Sequence, residues 1–173
     1  MTVLAKRGII KESKKGETGM IYFDLHGVIN DLSKAVWGFE PPHWEYKISG
    51  ENLIDIVESN LSLLAKCEPT EYFDIINTLP YIYILSAQPE HWREYSDKWL
   101  FAHFNPRKIY RNYVNSPQEK LDLLQEGDRL VEDYSFFKSY EQIILIDKPY
   151  NQNVKTAHRV KTPEELKEYI FNC

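Results

Sequence analysis

The stretch Met20-Ile21-Tyr22-Phe23-Asp24-Leu25 is almost continuously apolar and breaks at His26-Gly27. A short run of this kind reads as a strand buried on both faces of a parallel sheet, and it places Asp24 at the strand's C-terminal end. Tyr81-Ile82-Tyr83-Ile84-Leu85 repeats the pattern, ending in Ser86-Ala87-Gln88-Pro89 before a helical pattern from Glu90 to Phe104. Asn52 to Lys66 carries Leu53, Ile56, Val57, Leu61 and Leu64 at spacings of three and four, which predicts one amphipathic helix, and residues 71–78 add a shorter one. Arg107 to Val114 holds a short strand, Ser116-Pro117 opens a helix through about Gln125, and Arg129-Leu130-Val131 leads into Glu132-Asp133. Gln142 to Ile146 reads as the last strand. Thr162-Pro163-Glu164-Glu165 then caps a C-terminal helix towards Phe171. Strands alternating with helices predict an α/β fold.

A chain of 173 residues suits one domain or one domain with a small appendage, with roughly 70% of the unfolded surface available for burial. The net charge of −5 supplies no basic footprint for a nucleic acid polymer. Cys67 and Cys173 have neither disulfide nor zinc spacing, which points to a reducing, cytoplasmic setting. The basic N-terminus (Lys6, Arg7, Lys11, Lys14, Lys15) is followed by no apolar signal region, and no stretch approaches the roughly 18 apolar residues of a membrane span. Residues 3–10 read as an extra strand and Lys11 to Gly19 as a polar loop.

Ligands of open parallel sheets bind outside the carboxyl ends of the strands. The polar residues that follow the apolar runs here are Asp24, Ser86, Glu132 and Asp133, and Lys120 lies four residues into its helix. A carboxylate, a hydroxyl, an ammonium and an acidic pair suit phosphoryl transfer, because an anionic nucleophile reaches a phosphate dianion only when a divalent cation and a lysine neutralise both. Singly, each has a plainer reading. Asp24 favours a strand-to-turn position, Ser86 caps a helix, and Lys120 and Glu132-Asp133 suit a solvated helix face and a polar loop. Their joint order favours chemistry.

Asp24-Leu25-His26-Gly27-Val28 resembles the first motif of haloacid dehalogenase-like phosphatases, Asp-x-Asp-Gly-Val/Thr. Ser86 matches the family's phosphate-binding Ser/Thr, Lys120 the lysine of the third motif and Glu132-Asp133 the acidic pair of the fourth. Tyr95 to Pro106 (YSDKWLFAHFNP) and Ile146 to Asn153 (IDKPYNQN) make the chain most similar to the 5'(3')-deoxyribonucleotidases.

The resemblance implies a three-layer, Rossmann-like parallel sheet. Residues 20–30 and 79–173 would form the core, residues 31–78 a small helical cap, and residues 1–19 an extension or extra strand. It also implies a magnesium-dependent 5'-nucleotidase in which Asp24 is the nucleophile. Asp24, Asp133 and the backbone carbonyl of His26 would hold Mg2+, with Glu132 ordering its waters. Ser86 and the Ala87 amide would bind the phosphoryl group, and Lys120 would bridge it to Asp24.

His26 departs from the motif, standing where the family places its acid/base carboxyl. A neutral imidazole is a fair base and a scarce acid, so slower or acid-shifted turnover is expected. Trp37, Phe39, Trp44 and Tyr46 fall in the cap region, where they would either stack a nucleobase or form the cap's own core. His43 and His91 lack partners at metal-ligand spacing. The expected substrate is a deoxyribonucleoside monophosphate such as dUMP or dTMP, with a homodimer left open as the assembly. Two alternatives remain: a phosphatase for another small phosphomonoester, and a non-catalytic nucleotide-binding relative.

Overall fold

Short apolar strands need partners on both edges and cover on both faces, and the computed structural model, which describes residues 19–137, 140–156 and 158–171, supplies both. Strands β1 (Ile21–Phe23), β2 (Ile82–Ala87), β3 (Ile109–Val114), β4 (Arg129–Glu132), β5 (Ile143–Ile146) and β6 (His158–Val160) form one sheet in the order β3-β2-β1-β4-β5-β6. Every pairing is parallel, with Tyr22 opposite Tyr83 and Leu130 as its two neighbours. The chain is therefore α/β, a parallel sheet between helices in the Rossmann manner.

Alternate strand residues serve opposite faces. Phe23, Ile82, Ile84, Val131, Ile144, Ile146 and Val160 face a large apolar cluster, where α4 (Glu90–His103) contributes Trp92, Trp99 and Leu100 and α6 (Pro163–Phe171) contributes Leu166. Leu85, Leu130, Ile143 and Leu145 face a smaller cluster covered by α5 (Pro117–Leu123) through Leu121. The caps match the residues: Ser116 accepts from the Glu119 amide at 3.3 Å, and Thr162 from the Glu165 amide at 3.2 Å.

Residues 31–78 hold α1 (Leu32–Trp37), α2 (Leu53–Ser59) and α3 (Phe73–Asn77). Their Val57, Leu64, Tyr72 and Ile76 enter the same apolar cluster as β1 and β2. Side-chain bonds tie the segment to α4: Trp92 Nε1 donates to Glu58 at 2.8 Å and Trp99 Nε1 to the Cys67 carbonyl at 2.6 Å.

The structure corrects two expectations and adds one helix to the cap region. The single helix over Asn52 to Lys66 is broken at Asn60 (φ −149°, ψ 76°), and a 3-10 turn, Leu61–Ala65, carries on the same apolar spacing. Helix α1 lies where only aromatic content drew notice; Asp31 caps it by accepting from the Lys34 amide at 2.8 Å, and Gly38 ends it in the left-handed region. The sheet does not end at Ile146, because β6 pairs with β5. Two of its three residues are polar, too weak a periodic signal, and Arg159 holds it in place through Asp147 at 2.6 Å and Asn151 Oδ1 at 2.8 Å. Residues 1–18, with the expected strand and loop, and Cys173 lie outside the described residues.

Candidate active site

The strand order reverses between β1 and β4, the switch point where open α/β sheets bind ligands. Asp24 ends β1 there. Its amide donates to the Val131 carbonyl at 2.9 Å, and its side chain is buried. The chain then turns sharply: Gly27 adopts φ +85°, its amide donates to the Asn30 carbonyl at 2.7 Å, and the Ile29 and Asn30 amides both reach the Leu25 carbonyl at 3.0 Å. A side chain at Gly27 has no room, since a Cβ there falls 1.9 Å from Asp133 Oδ2. Glycine thus lets the acidic loop after β4 close onto the loop after β1.

Asp24, Glu132 and Asp133 are all buried and offer carboxylate oxygens within 4.8 Å of one another. Lys120, only 2% exposed, reaches them from α5. Its Nζ lies 3.0 Å from Asp24 Oδ1 and is hydrogen-bonded to Glu132 Oε1. Asp24 Oδ1 and the Lys120 ammonium thus form a buried ion pair. Glu132 is spoken for: Oε2 accepts from the Asp133 amide at 2.9 Å and the Tyr134 amide at 3.1 Å. Asp133 Oδ2 accepts from the Tyr150 hydroxyl, and the Asp133 backbone carbonyl accepts from Asn151 Nδ2 at 2.8 Å.

Burial raises the pKa of Glu132, which Lys120 opposes, and burial then Asp24 raise that of Asp133, which the Tyr150 hydrogen bond opposes. For Lys120, burial acts to lower the pKa, but Asp24 and Glu132 outweigh it and hold the ammonium charged. One buried cation thus faces three buried carboxylates. Three buried carboxyl groups converging at one ammonium, with burial raising the pKa of two of them, fit a divalent cation bound by oxygen ligands. Asp24 and Asp133 have oxygens to give, whereas both oxygens of Glu132 already accept from protein donors.

The acidic group opens into a cavity of about 330 Å3, lined also by Ser86, Ala87 and Gln88 from the end of β2. The His26 ring lies at its edge. Nδ1 is 2.9 Å from Asn30 Oδ1, Nε2 is 3.4 Å from Ser96 Oγ, and Trp92 packs edge-on to the ring. Burial lowers the pKa of His26, while the Asp24 carboxylate opposes this. Of the four expected aromatics, Trp44 lines the cavity and packs on Tyr134 at a 4.5 Å centroid separation. Trp37 and Phe39 pack instead on Tyr46, at 5.4 and 5.6 Å, and Trp37 shares with Trp44 a neighbouring hollow of about 390 Å3. Trp92, Tyr134 and Phe137 supply the aromatic lining not singled out from sequence, together with Leu32, Leu53 and Ile54. Neither His43 nor His91 belongs to the acidic cluster; His91 pairs with Glu58 at 2.8 Å.

Sequence reasoning also passed over the supports. Tyr150 and Asn151 hold Asp133, Ser96 and Gln88 adjoin His26, and a buried Lys148 pairs with Glu40. The strand-end segment IDKPYNQN was the available signal for the first two. Among the described residues, no helix is long and apolar enough to cross a membrane. Compared with known proteins, the chain matches no family model and no curated sequence.

Proposed function

We propose that this chain is a magnesium-dependent phosphomonoesterase of the haloacid dehalogenase-like type, acting as a 5'-nucleotidase on deoxyribonucleoside monophosphates. One observation carries the reading: Asp24 Oδ1 forms a buried ion pair with the Lys120 ammonium at 3.0 Å, beside two more buried carboxyl groups, facing a cavity. Buried carboxylates crowd like this at structural cost, and such clusters mark functional sites.

In this reading Asp24 attacks phosphorus, the bond to the ester oxygen breaks, and that oxygen leaves as an alcohol after gaining a proton. Water then attacks the phosphorus of the aspartyl-phosphate, freeing phosphate and Asp24. Asp24, Asp133 and the His26 carbonyl would hold magnesium, which would supply positive charge to offset repulsion between carboxylate and phosphate. Lys120 binds the phosphoryl oxygens and holds Asp24 beside them, while Ser86 and the Ala87 amide donate to the same group. Glu132 positions Lys120 and the loop. His26 is the proton carrier, and Trp44, Trp92, Tyr134 and Phe137 give the organic half an aromatic wall. The proposed setting is cytoplasmic, and the partner is a small-molecule substrate rather than a nucleic acid polymer or a membrane.

The test is phosphate release, with and without magnesium, from deoxyribonucleotides, ribonucleotides and sugar phosphates, with Asp24→Asn as control. The expected result is magnesium-dependent release confined to nucleoside monophosphates and lost in the control. Release from sugar phosphates alone would move the substrate class. Binding without release by folded protein would refute the catalytic reading and leave a nucleotide-binding relative. The observation favouring that second reading is a His26 ring whose two nitrogens both face internal partners.

A further inference from the structure

Gln88 is 2% exposed, lies two residues beyond Ser86 and lines the candidate active-site cavity. Its backbone is fixed, since the amide donates to the Val114 carbonyl at 2.9 Å. The side chain is fixed too: Oε1 accepts from the hydroxyl of Ser96, a residue with no exposed surface, at 2.7 Å. Nε2 is buried and has no hydrogen-bond partner. A buried amide donor left unmade is costly, and native structures leave few of them without a reason. Asn115, an exposed residue on the cavity wall, likewise has its Oδ1 taken, by Arg93 Nη2 at 2.7 Å. Both amides on the wall have their oxygens committed to protein donors.

Resting on the phosphomonoesterase reading, we infer that Gln88 is a specificity residue whose Nε2 donates to an acceptor oxygen in the organic half of the substrate. Position separates this role from phosphate binding. Gln88 shares Ser96 with the His26 ring, whose Nε2 is 3.4 Å from the Ser96 hydroxyl, whereas Lys120 is grouped with Asp24 and Glu132. The amide therefore belongs with the group assigned to the leaving oxygen. Its ligand class is a phosphate monoester with an ether, furanose or carbonyl oxygen close to the ester link. An alkyl ester of equal size leaves the donor unsatisfied and is rejected.

The test is calorimetric binding, in magnesium, of orthophosphate, butylphosphonate and 2-methoxyethylphosphonate, the last two differing by an ether oxygen in place of a methylene. Wild-type protein is expected to prefer the ether by about tenfold. Gln88→Met should abolish that preference and leave orthophosphate affinity unchanged. The wild-type comparison stands even where the variant fails to fold. No preference in wild type, a preference that persists in Gln88→Met, or an equal loss of orthophosphate affinity overturns the assignment. Phosphate release from the corresponding esters is measured in parallel. A preference without release refutes only the catalytic reading, and release without a preference refutes only the role of Gln88.

Discussion

Replacing Gly27 by alanine is the most direct probe of how the site is held together. Two costs follow from the structure. At φ +85° a Cβ is strained, by about 1–2 kcal/mol for a left-handed residue. The Cβ also falls 1.9 Å from Asp133 Oδ2, so the carboxylate must retreat by about 1.5 Å to reach the 3.4 Å of ordinary contact. That retreat breaks its hydrogen bond from Tyr150, a charge-assisted bond worth about 1.5–3 kcal/mol. The expected loss in urea denaturation is therefore about 2.5–5 kcal/mol. Gly38→Ala is the internal control: it has φ +78° with nothing within 4 Å of its Cβ, so it should show the strain alone, about 1–2 kcal/mol. Magnesium titration by calorimetry separates the two further. Gly27→Ala should weaken binding by about 10–100-fold, the usual effect of disturbing a ligand's support, and Gly38→Ala should not change it. Equal stability losses in the two variants, with magnesium affinity intact in both, would refute the claim that glycine is needed for Asp133 to approach.

Lys120→Met removes the ammonium facing Asp24 and Glu132 and should cost about 3–5 kcal/mol, as expected when a buried charge group loses its partner. Because the surplus negative charge then grows, added magnesium should raise the melting temperature of this variant more than that of wild type; an equal shift would count against a cation at the carboxylates. Tyr150→Phe should cost about 1–3 kcal/mol in denaturation and lower magnesium affinity by about 10–100-fold, with the aromatic contact to Trp44 kept. Unchanged affinity would mean that the Tyr150 hydroxyl does not orient Asp133 towards a cation.

The parts of this molecule legible in its sequence are those where one local signal does the specifying. Continuous apolar runs ending in Asp24, Ser86 and Glu132 mark buried parallel strands, and the parallel sheet then brings their ends together without further information. Ser116-Pro117 marks a helix start, which puts Lys120 on a helix that covers the sheet's smaller apolar cluster. Tertiary partners decide the rest. Asn60 breaks a periodic segment that spacing alone would continue, and β6 is held by Arg159 more than by apolar pattern. Among the aromatics, composition cannot separate Trp44, which meets Tyr134 and Tyr150 at the cavity, from Phe39, which meets Tyr46 away from it. The link from His26 through Ser96 to Gln88 joins the loop after β1, α4 and the loop after β2, so no window of sequence contains it.

That link bears on the one departure from the phosphatase motif. A carboxyl group at position 26 would add a fourth buried acid to a group already holding three beside one ammonium, where burial already raises the pKa of Glu132 and Asp133. Histidine avoids that charge, and burial keeps the ring on the neutral side of its ordinary titration. It also needs different neighbours. Asn30 sits 2.9 Å from Nδ1, a normal hydrogen-bond length, while Ser96 is 3.4 Å from Nε2, near the limit. The weaker contact marks Nε2 as the nitrogen that can exchange its partner, and the Ser96 hydroxyl stays satisfied by Gln88 when it does. Asn30, itself fully buried, thus fixes the ring and leaves Nε2 as the basic nitrogen, which in the proposed reaction would take the proton released by the attacking water, while the leaving oxygen would draw on the smaller imidazolium fraction.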